Sequence, residues 1–359
     1  MSVINKNSLR FLEKYINNAS PTGFESEGQK IWLDYIKPYV DSHIVDTYGT
    51  VVGVINPDHE YKVVIEAHAD EISWFVHYIT KEGFIYLVRN GGSDHQIAPS
   101  KRVNIHTDNG IIDAVFGWPA IHTRRGGKEE VPKLENIFLD CGARSDKEVN
   151  DMGIQVGNVV TYKDSFTIMN KKFFVGRALD NRIGGFMIAE VARLLKENKK
   201  NLPFGLYITN SVQEEVGLRG AQMITETIRP NVAIVTDVTH DTHTPMINKI
   251  KEGDCKMEKG PVLTFGPSVQ NNLLKLIINT AKKHKIDIQR AAASRSTGTD
   301  TDAFAFSTGG VASALISLPL RYMHTTVETV SKKDVESVIM LIYNSLLNIK
   351  KNHDFRYLK

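Results

Sequence analysis

A set of short motifs in this chain carries residue types able to hold metal ions and move a proton. His68-Ala69-Asp70 closes the apolar run 63–67. Residues two apart at a strand end share a face, so Asp70 can accept the second ring N–H of His68 and fix its tautomer. Asp180 stands in Gly176-Arg177-Ala178-Leu179-Asp180-Asn181, just before a helical stretch. Alone it reads as an N-cap, but in company its two oxygens can bridge two cations. Glu214 and Glu215 follow the apolar run 204–212. Adjacent carboxylates at a buried strand end repel each other. Hydrolysis by metal-activated water gives them separate work: one binds metal, the other stays free as a general base. Asp237 closes the run 232–236, and His324 follows the run 312–320.

Singly, each motif has an ordinary reading as a polar loop, a cap, a solvated acid pair or a loop histidine. Their placement together argues more. His68, Glu214/Glu215, Asp237 and His324 each follow an apolar strand, and Asp180 starts a helix. In open α/β sheets such strand ends gather in one crevice. Two imidazoles and several carboxylates there suit Zn²⁺, Co²⁺ or Mn²⁺.

The elements needed to position these residues are legible as hydrophobic periodicity. Helices are predicted over 5–17, 25–37, 181–196, 218–228, 269–285, 303–307 and 332–350. Strands are predicted over 43–47, 51–55, 62–67, 204–210, 232–236, 286–292 and 312–317. Between them, residues 72–166 hold short β-type runs at 72–79, 84–88, 102–106, 111–116, 137–140 and 158–162, parted by Gly/Asn/Asp turns. Only 145–152 looks helical there, which is the style of a small barrel or sandwich. The polar loop 119–133, with Arg124-Arg125-Gly126-Gly127-Lys128, is expected to be exposed and mobile. The layout predicted is an α/β catalytic domain from 1–71 and 167–359, its sheet covered on both faces, interrupted by a β domain at 72–166.

Composition excludes several classes. The 359 residues suffice for two domains, and 42% apolar with 24% charged residues is ordinary for a globular chain. A net charge of +3 gives no whole-molecule argument for nucleic acid or a membrane surface. Cys141 and Cys255 lie far apart, outside any C-x-x-C pair, so no disulfide scaffold is expected and a reducing compartment fits. No apolar run approaches the ~20 residues that span a bilayer. The N-terminus has no apolar leader region. A cytoplasmic location is the expectation.

The runs EAHADEI, GRALDNRIGG, QEEVGLRGA, DVTH, STGTD and RYMH, in this order, resemble the M42 family of metallo-aminopeptidases, which includes tetrahedral and glutamyl aminopeptidases and some members with an old endoglucanase label. The resemblance runs over nearly the whole chain. It implies a zinc-exopeptidase-like three-layer α/β catalytic domain with a mixed sheet plus an inserted small β-barrel domain, and release of N-terminal amino acids from short peptides. It implies one cation held by His68, Asp180 and Asp237, and a second by Asp180, Glu215 and His324. Glu214 is then the general base, Asp70 the partner of His68, and the Asp180–Asn181 peptide cis. Homo-oligomers, dimers or dodecamers, are also implied.

The chain departs from the family pattern at Gly298-Thr299-Asp300-Thr301, where GTDA is usual, and at loop 239–246, which lacks the usual glycine. Both regions lie near the substrate pocket in the family, so Thr299 and Asp300 become candidate substrate-binding residues. The competing functions are a di-metal amidohydrolase acting on N-acyl amino acids, a glycosidase, which needs two carboxylates and no metal pair, and a binding scaffold, which needs no spare Glu beside a ligand Glu. His240 and His243 are expected in a solvated loop, with a place lining the pocket as the alternative; His106 and His122 are expected on the surface of the β domain, Lys249 and Lys251 on an exposed face, and both cysteines in structural positions.

Overall fold

The structure, a computed structural model, describes residues 3–124 and 130–358. Along the chain come α1 (Lys6–Asn17), α2 (Ser26–Ile36), β1 (Ser42–Val45), β2 (Val51–Ile55) and β3 (Lys62–His68). Next are β4 (Ser73–Ile79), β5 (Ile85–Asn90), β6 (Arg102–Thr107), β7 (Gly110–Gly117), β8 (Phe138–Asp140), α3 (Asp146–Asp151) and β9 (Val159–Tyr162). Then follow β10 (Thr167–Met169), β11 (Phe173–Gly176), α4 (Leu179–Glu197), β12 (Gly205–Ser211), α5 (Arg219–Ile228) and β13 (Val232–His240). The chain continues through α6 (Lys249–Glu252), β14 (Val262–Phe265), α7 (Asn271–His284), β15 (Gln289–Ala292) and α8 (Asp300–Ala305). It ends with β16 (Ala312–Arg321), β17 (Glu328–Ser331) and α9 (Lys332–Asn348).

The main sheet has the order β1-β2-β12-β3-β13-β16-β17-β11-β10, with β14 and β15 branching from β16. Its centre, β12-β3-β13-β16, is parallel. Antiparallel strands flank it on both sides. Central strands alternate their side chains between two cores, as period-2 geometry requires. Val63, Ile65 and Ala67 face the larger core with α1, α4 and α9, while Val64 faces the smaller core with α5 and α8. That is the three-layer arrangement predicted. Strands β4 to β9 form a closed antiparallel barrel, β4-β5-β8-β7-β6-β9, filled by Trp74, Val76, Ile105, Phe116 and Leu139 among others.

α4 is almost wholly buried, and it buries charge as well as apolar surface, with Arg193 paired to Glu190 at 2.7 Å. It approaches β3 closely: a Cβ on Gly184 would sit 2.8 Å from the Ala67 Cβ. Only glycine lets the first turn of α4, with Asp180, settle over the end of β3.

Some elements differ from the sequence reading. β10, β11, β14 and β17 were not predicted, being runs of three or four residues. Asp237 does not close its strand. β13 continues to His240 because β16 pairs with it in register through Leu320. In loop 119–133, Ile121–Thr123 form a single 3-10 turn, and residues 125–129 lie outside the described residues. His106 is half-buried rather than on the surface, its Nε2 2.8 Å from Thr161 Oγ1. Burial lowers its pKa. Cys141 and Cys255 are free.

Candidate metal centre

Pairing between β13 and β3 stops at Val235 and Glu66, while β13 goes on along β16. The strands part there, and the gap is a cleft of about 640 Å³. His68, Asp180, Glu214, Glu215, Asp237 and His324 all line it. His68 is the last residue of β3. Asp237 stands on β13 just past the point of parting. Glu214 and Glu215 form the turn after β12, and His324 the turn after β16. The Asp180–Asn181 peptide is cis, and both residues depart from helical dihedrals.

The donor atoms are spaced as ligands of shared cations. Asp180 Oδ1 lies 3.2 Å from His68 Nε2, and Asp180 Oδ2 lies 3.4 Å from His324 Nε2. Glu215 Oε2 is 3.5 Å from His324 Nε2, and Asp237 Oδ1 is 3.9 Å from His68 Nε2. A tetrahedral site with metal–ligand bonds near 2.0–2.1 Å has donor–donor edges of about 3.3 Å. The separations and the donor chemistry therefore fit divalent metal. Glu214 Oε2, 3.8 Å from His68 Nε2, is also within ligand reach. Ligand atoms of His68, Glu214 and Asp237 come within 4.8 Å of one another, as do those of His68, Asp180 and Glu215.

Asp70 does more than the sequence suggested. Its Oδ1 lies 3.4 Å from His68 Nδ1 and accepts from the Glu214 N–H at 3.0 Å. Its Oδ2 accepts from the Glu215 N–H at 3.2 Å and from the Thr22 hydroxyl at 2.8 Å. One buried carboxylate thus holds the turn bearing both glutamates and faces the imidazole. Glu25, which the sequence did not single out, accepts from the N–H of Gln213 at the start of that turn. The barrel side contributes too: the Gly92 carbonyl lies 3.2 Å from His324 Nδ1, which favours a proton on Nδ1 and leaves Nε2 facing Asp180.

The cleft crowds negative charge away from water. Burial, aided by Asp300, Asp180 and Asp70 against the pull of His68, pushes Glu214 up to about 8. Burial and then Asp180 raise Glu215 well above the usual range, and burial does the same to Asp237. Burial opposes charge on His68, yet Glu214, Asp180, Asp70 and Asp237 hold its pKa well above the ordinary value. Asp180 is the exception among the carboxylates. Burial acts to raise it, but His324 and His68 outweigh that and hold it well below the usual range.

A pH dependence follows for chelated protein. Glu214 at about 8, and Glu25 and Glu66 at about 7, exceed the ordinary 4.5. Between those values the folded chain binds more protons than the unfolded chain, so stability falls as pH rises. Raised His68 acts in the same direction; lowered His106 opposes it only below about 6.5. Chelated protein is expected to melt a few degrees lower at pH 8 than at pH 6. A melting temperature rising over this range, read by calorimetry, would contradict the electrostatic picture.

Family comparison agrees with the geometry. The family model for M42 glutamyl aminopeptidase matches residues 49–341. The chain belongs to the M42 aminopeptidase family. As a member it is a metal-dependent peptide hydrolase of the exopeptidase kind, releasing N-terminal amino acids. It is 33% identical over 347 residues to the lysyl aminopeptidase of Pyrococcus furiosus, covering 96% of this chain and 98% of that one. A TET aminopeptidase structure from a marine-sediment Thaumarchaeota archaeon superposes with a TM-score of 0.89 at 30% identity, covering 94% and 95% of the two chains. The TET1 peptidase of Pyrococcus horikoshii, which assembles into a tetrahedron or a large octahedral shell, superposes at 0.83 with 27% identity over 94% and 98%.

In this M42 aminopeptidase the remaining expected residues fall in different places. Thr299 lines the cleft with Ser296, Thr297 and Gly298. Asp300 does not: it is 1% exposed at the start of α8, set against buried Glu66 behind the cleft wall. His240 ends β13, exposed and lining the cleft, the alternative place expected for it. His243 is held outside the cleft lining, 2.8 Å from Asp254. Lys249 and Lys251 are exposed, and Lys249 lies 3.2 Å from Asp254. His122 is exposed as expected.

Proposed function

We propose that two divalent cations, with Zn²⁺ the first candidate and Co²⁺ or Mn²⁺ the others, bind this M42 aminopeptidase at the parting of the strands. His68, Asp180 and Asp237 would hold one, and Asp180, Glu215 and His324 the other. The observation that carries this reading is the division of Asp180, one oxygen toward each histidine. Bound there, the cations supply positive charge that acidifies water and polarises a peptide carbonyl.

The rest of the chemistry belongs to side chains. Glu214 takes a proton from the attacking water and delivers it to the amine of the departing peptide. A carboxylate that takes and then returns a proton suits both transfers; without metal, burial pushes Glu214 up to about 8, and adjacent cations would favour its ionised form. Asp70 orients His68 and the glutamate turn. Thr299, Ser296 and Thr297 offer hydroxyls on the substrate side of the cleft.

The wider reading takes residues 1–71 and 167–359 as the catalytic domain and 72–166 as an inserted domain serving assembly and access. Short peptides are the substrates. A homo-oligomer is favoured by the assembling TET relative. Among the described residues no helix is long and apolar enough to cross a membrane. Free cysteines fit the cytoplasm.

Aminoacyl-p-nitroanilides and N-acetyl amino acids, assayed before and after chelation, test the proposal. Hydrolysis of the anilides, lost on chelation and restored by Zn²⁺, Co²⁺ or Mn²⁺, is expected. Preferential hydrolysis of the N-acetyl compounds would move the assignment to an amidohydrolase, and chelator-insensitive activity on cellulose would move it to a glycosidase.

A further inference from the structure

Glu328 stands at the start of β17 with its side chain 2% exposed. Its Oε2 accepts from the backbone N–H of Asp180 at 3.0 Å, and its Oε1 from the backbone N–H of His324 at 2.8 Å. The Leu179 N–H also points to it. These donors come from two segments far apart in sequence, the first turn of α4 and the turn after β16, which also meet where Asp180 Oδ2 lies 3.4 Å from His324 Nε2.

Both segments need an acceptor. Helix starts leave N–H groups without intrahelical partners, and α4 has no cap from its own preceding residue, Ala178, which is left-handed. The turn at His324 is also left-handed, with φ of 60°. Buried N–H groups are nearly always paired, and here one carboxylate serves both sides. The buried side chain four residues beyond His324 therefore fixes the backbone of Asp180 and His324 relative to each other.

We propose that Glu328 is a positioning residue for the cation shared by Asp180, Glu215 and His324, setting how tightly that ion is held without touching it or the substrate. The inference rests on the metal reading above. Partners one shell out from a metal typically control affinity by about 10- to 100-fold. Glu328→Gln keeps the shape but turns one acceptor oxygen into an NH₂ facing an N–H, so one of the two grips is lost.

The test is titration of purified wild-type and Glu328→Gln protein with Zn²⁺ at buffered free concentrations, counting bound metal by mass spectrometry and following kcat and KM. Wild type is expected to take up two ions. Glu328→Gln should show one of the two ions loosened about 10- to 100-fold, with kcat restored at high free Zn²⁺ and KM unchanged. Two ions bound with wild-type affinity would overturn the proposal, and so would a kcat that metal cannot restore. If Glu328→Gln does not fold, Glu328→Ala, which admits water to the freed N–H groups, is titrated in its place. Failure of both to fold also overturns it, because the side chain would then serve the fold as a whole. Wild type binding fewer than two ions would instead sink the metal reading itself.

Discussion

Replacing Glu214 by Gln is expected to cut kcat by about 10²- to 10⁴-fold while both metal ions stay bound. Gln has nearly the same shape and can still donate and accept hydrogen bonds, but it cannot take a proton. KM should change little, since Glu214 is assigned to proton transfer and not to binding. The experiment also decides an ambiguity in the geometry. Glu214 Oε2 is as near His68 Nε2 as Asp237 Oδ1 is, at 3.8 Å against 3.9 Å. If Glu214 is a ligand, Glu214→Gln will lose metal, and excess metal will recover much of its activity. If Glu214 is the base, metal content is unchanged and no amount of metal helps. A second readout comes from stability. Burial raises Glu214 to about 8, so ionising it weakens the metal-free fold at high pH. Chelated Glu214→Gln should therefore melt above chelated wild type at pH 8.5, with the gap closing toward pH 5. A wild-type kcat in this variant would remove Glu214 from the mechanism.

The positions of these residues were legible because strand-end chemistry leaves a pattern along the chain. An apolar run followed by His or Asp marks a buried strand meeting a crevice, and this pattern located His68, Glu214, Glu215, Asp237 and His324. The parallel order β12-β3-β13-β16 then brings them together. What the sequence hid was pairing across long separations. Asp237 looks like a strand end because its apolar run stops there, yet β16 carries the strand on to His240. Glu328, in the run TTVETV, has the local character of an edge strand with one face in water; in the fold β17 is paired on both sides, by β16 and β11, and all four of its residues are buried. Thr22 and Glu25 likewise sit beside a glycine turn and look solvated, but fold onto Asp70 and Gln213. Asp300 became a candidate substrate contact because residues 298–301 depart from the family pattern near its substrate pocket. The first turn of α8 instead directs it inward to Glu66, while Asp302 stays at the cleft and anchors Thr297 and Gly298 through their N–H groups.

Asp180→Ala is expected to remove both ions and reduce activity to background, the largest loss of any single ligand change. Every other proposed ligand serves one cation, so Asp237→Ala or His324→Ala should leave one ion in place. Asp180 faces both histidines with separate oxygens, and its loss leaves each cation two protein ligands. Metal-linked stabilisation should vanish with the ions. Ligand at a hundredfold excess over Kd contributes about 2.7 kcal/mol per site, so wild type melts well above its chelated form, and Asp180→Ala should show no such difference. The metal-free state supplies an independent check of opposite sign to Glu214→Gln. Asp180 is the cleft carboxylate that two imidazoles hold ionised, well below the usual range. A depressed carboxylate stabilises the fold at every pH above its unfolded value, so chelated Asp180→Ala should melt below chelated wild type at neutral pH. If this variant kept one ion, Asp180 would not be the shared ligand, and the two half-sites would have to be rebuilt around His68 with Glu214 and Asp237 on one side and Glu215 on the other; a chelated form melting higher would contradict the ionised state of Asp180 instead.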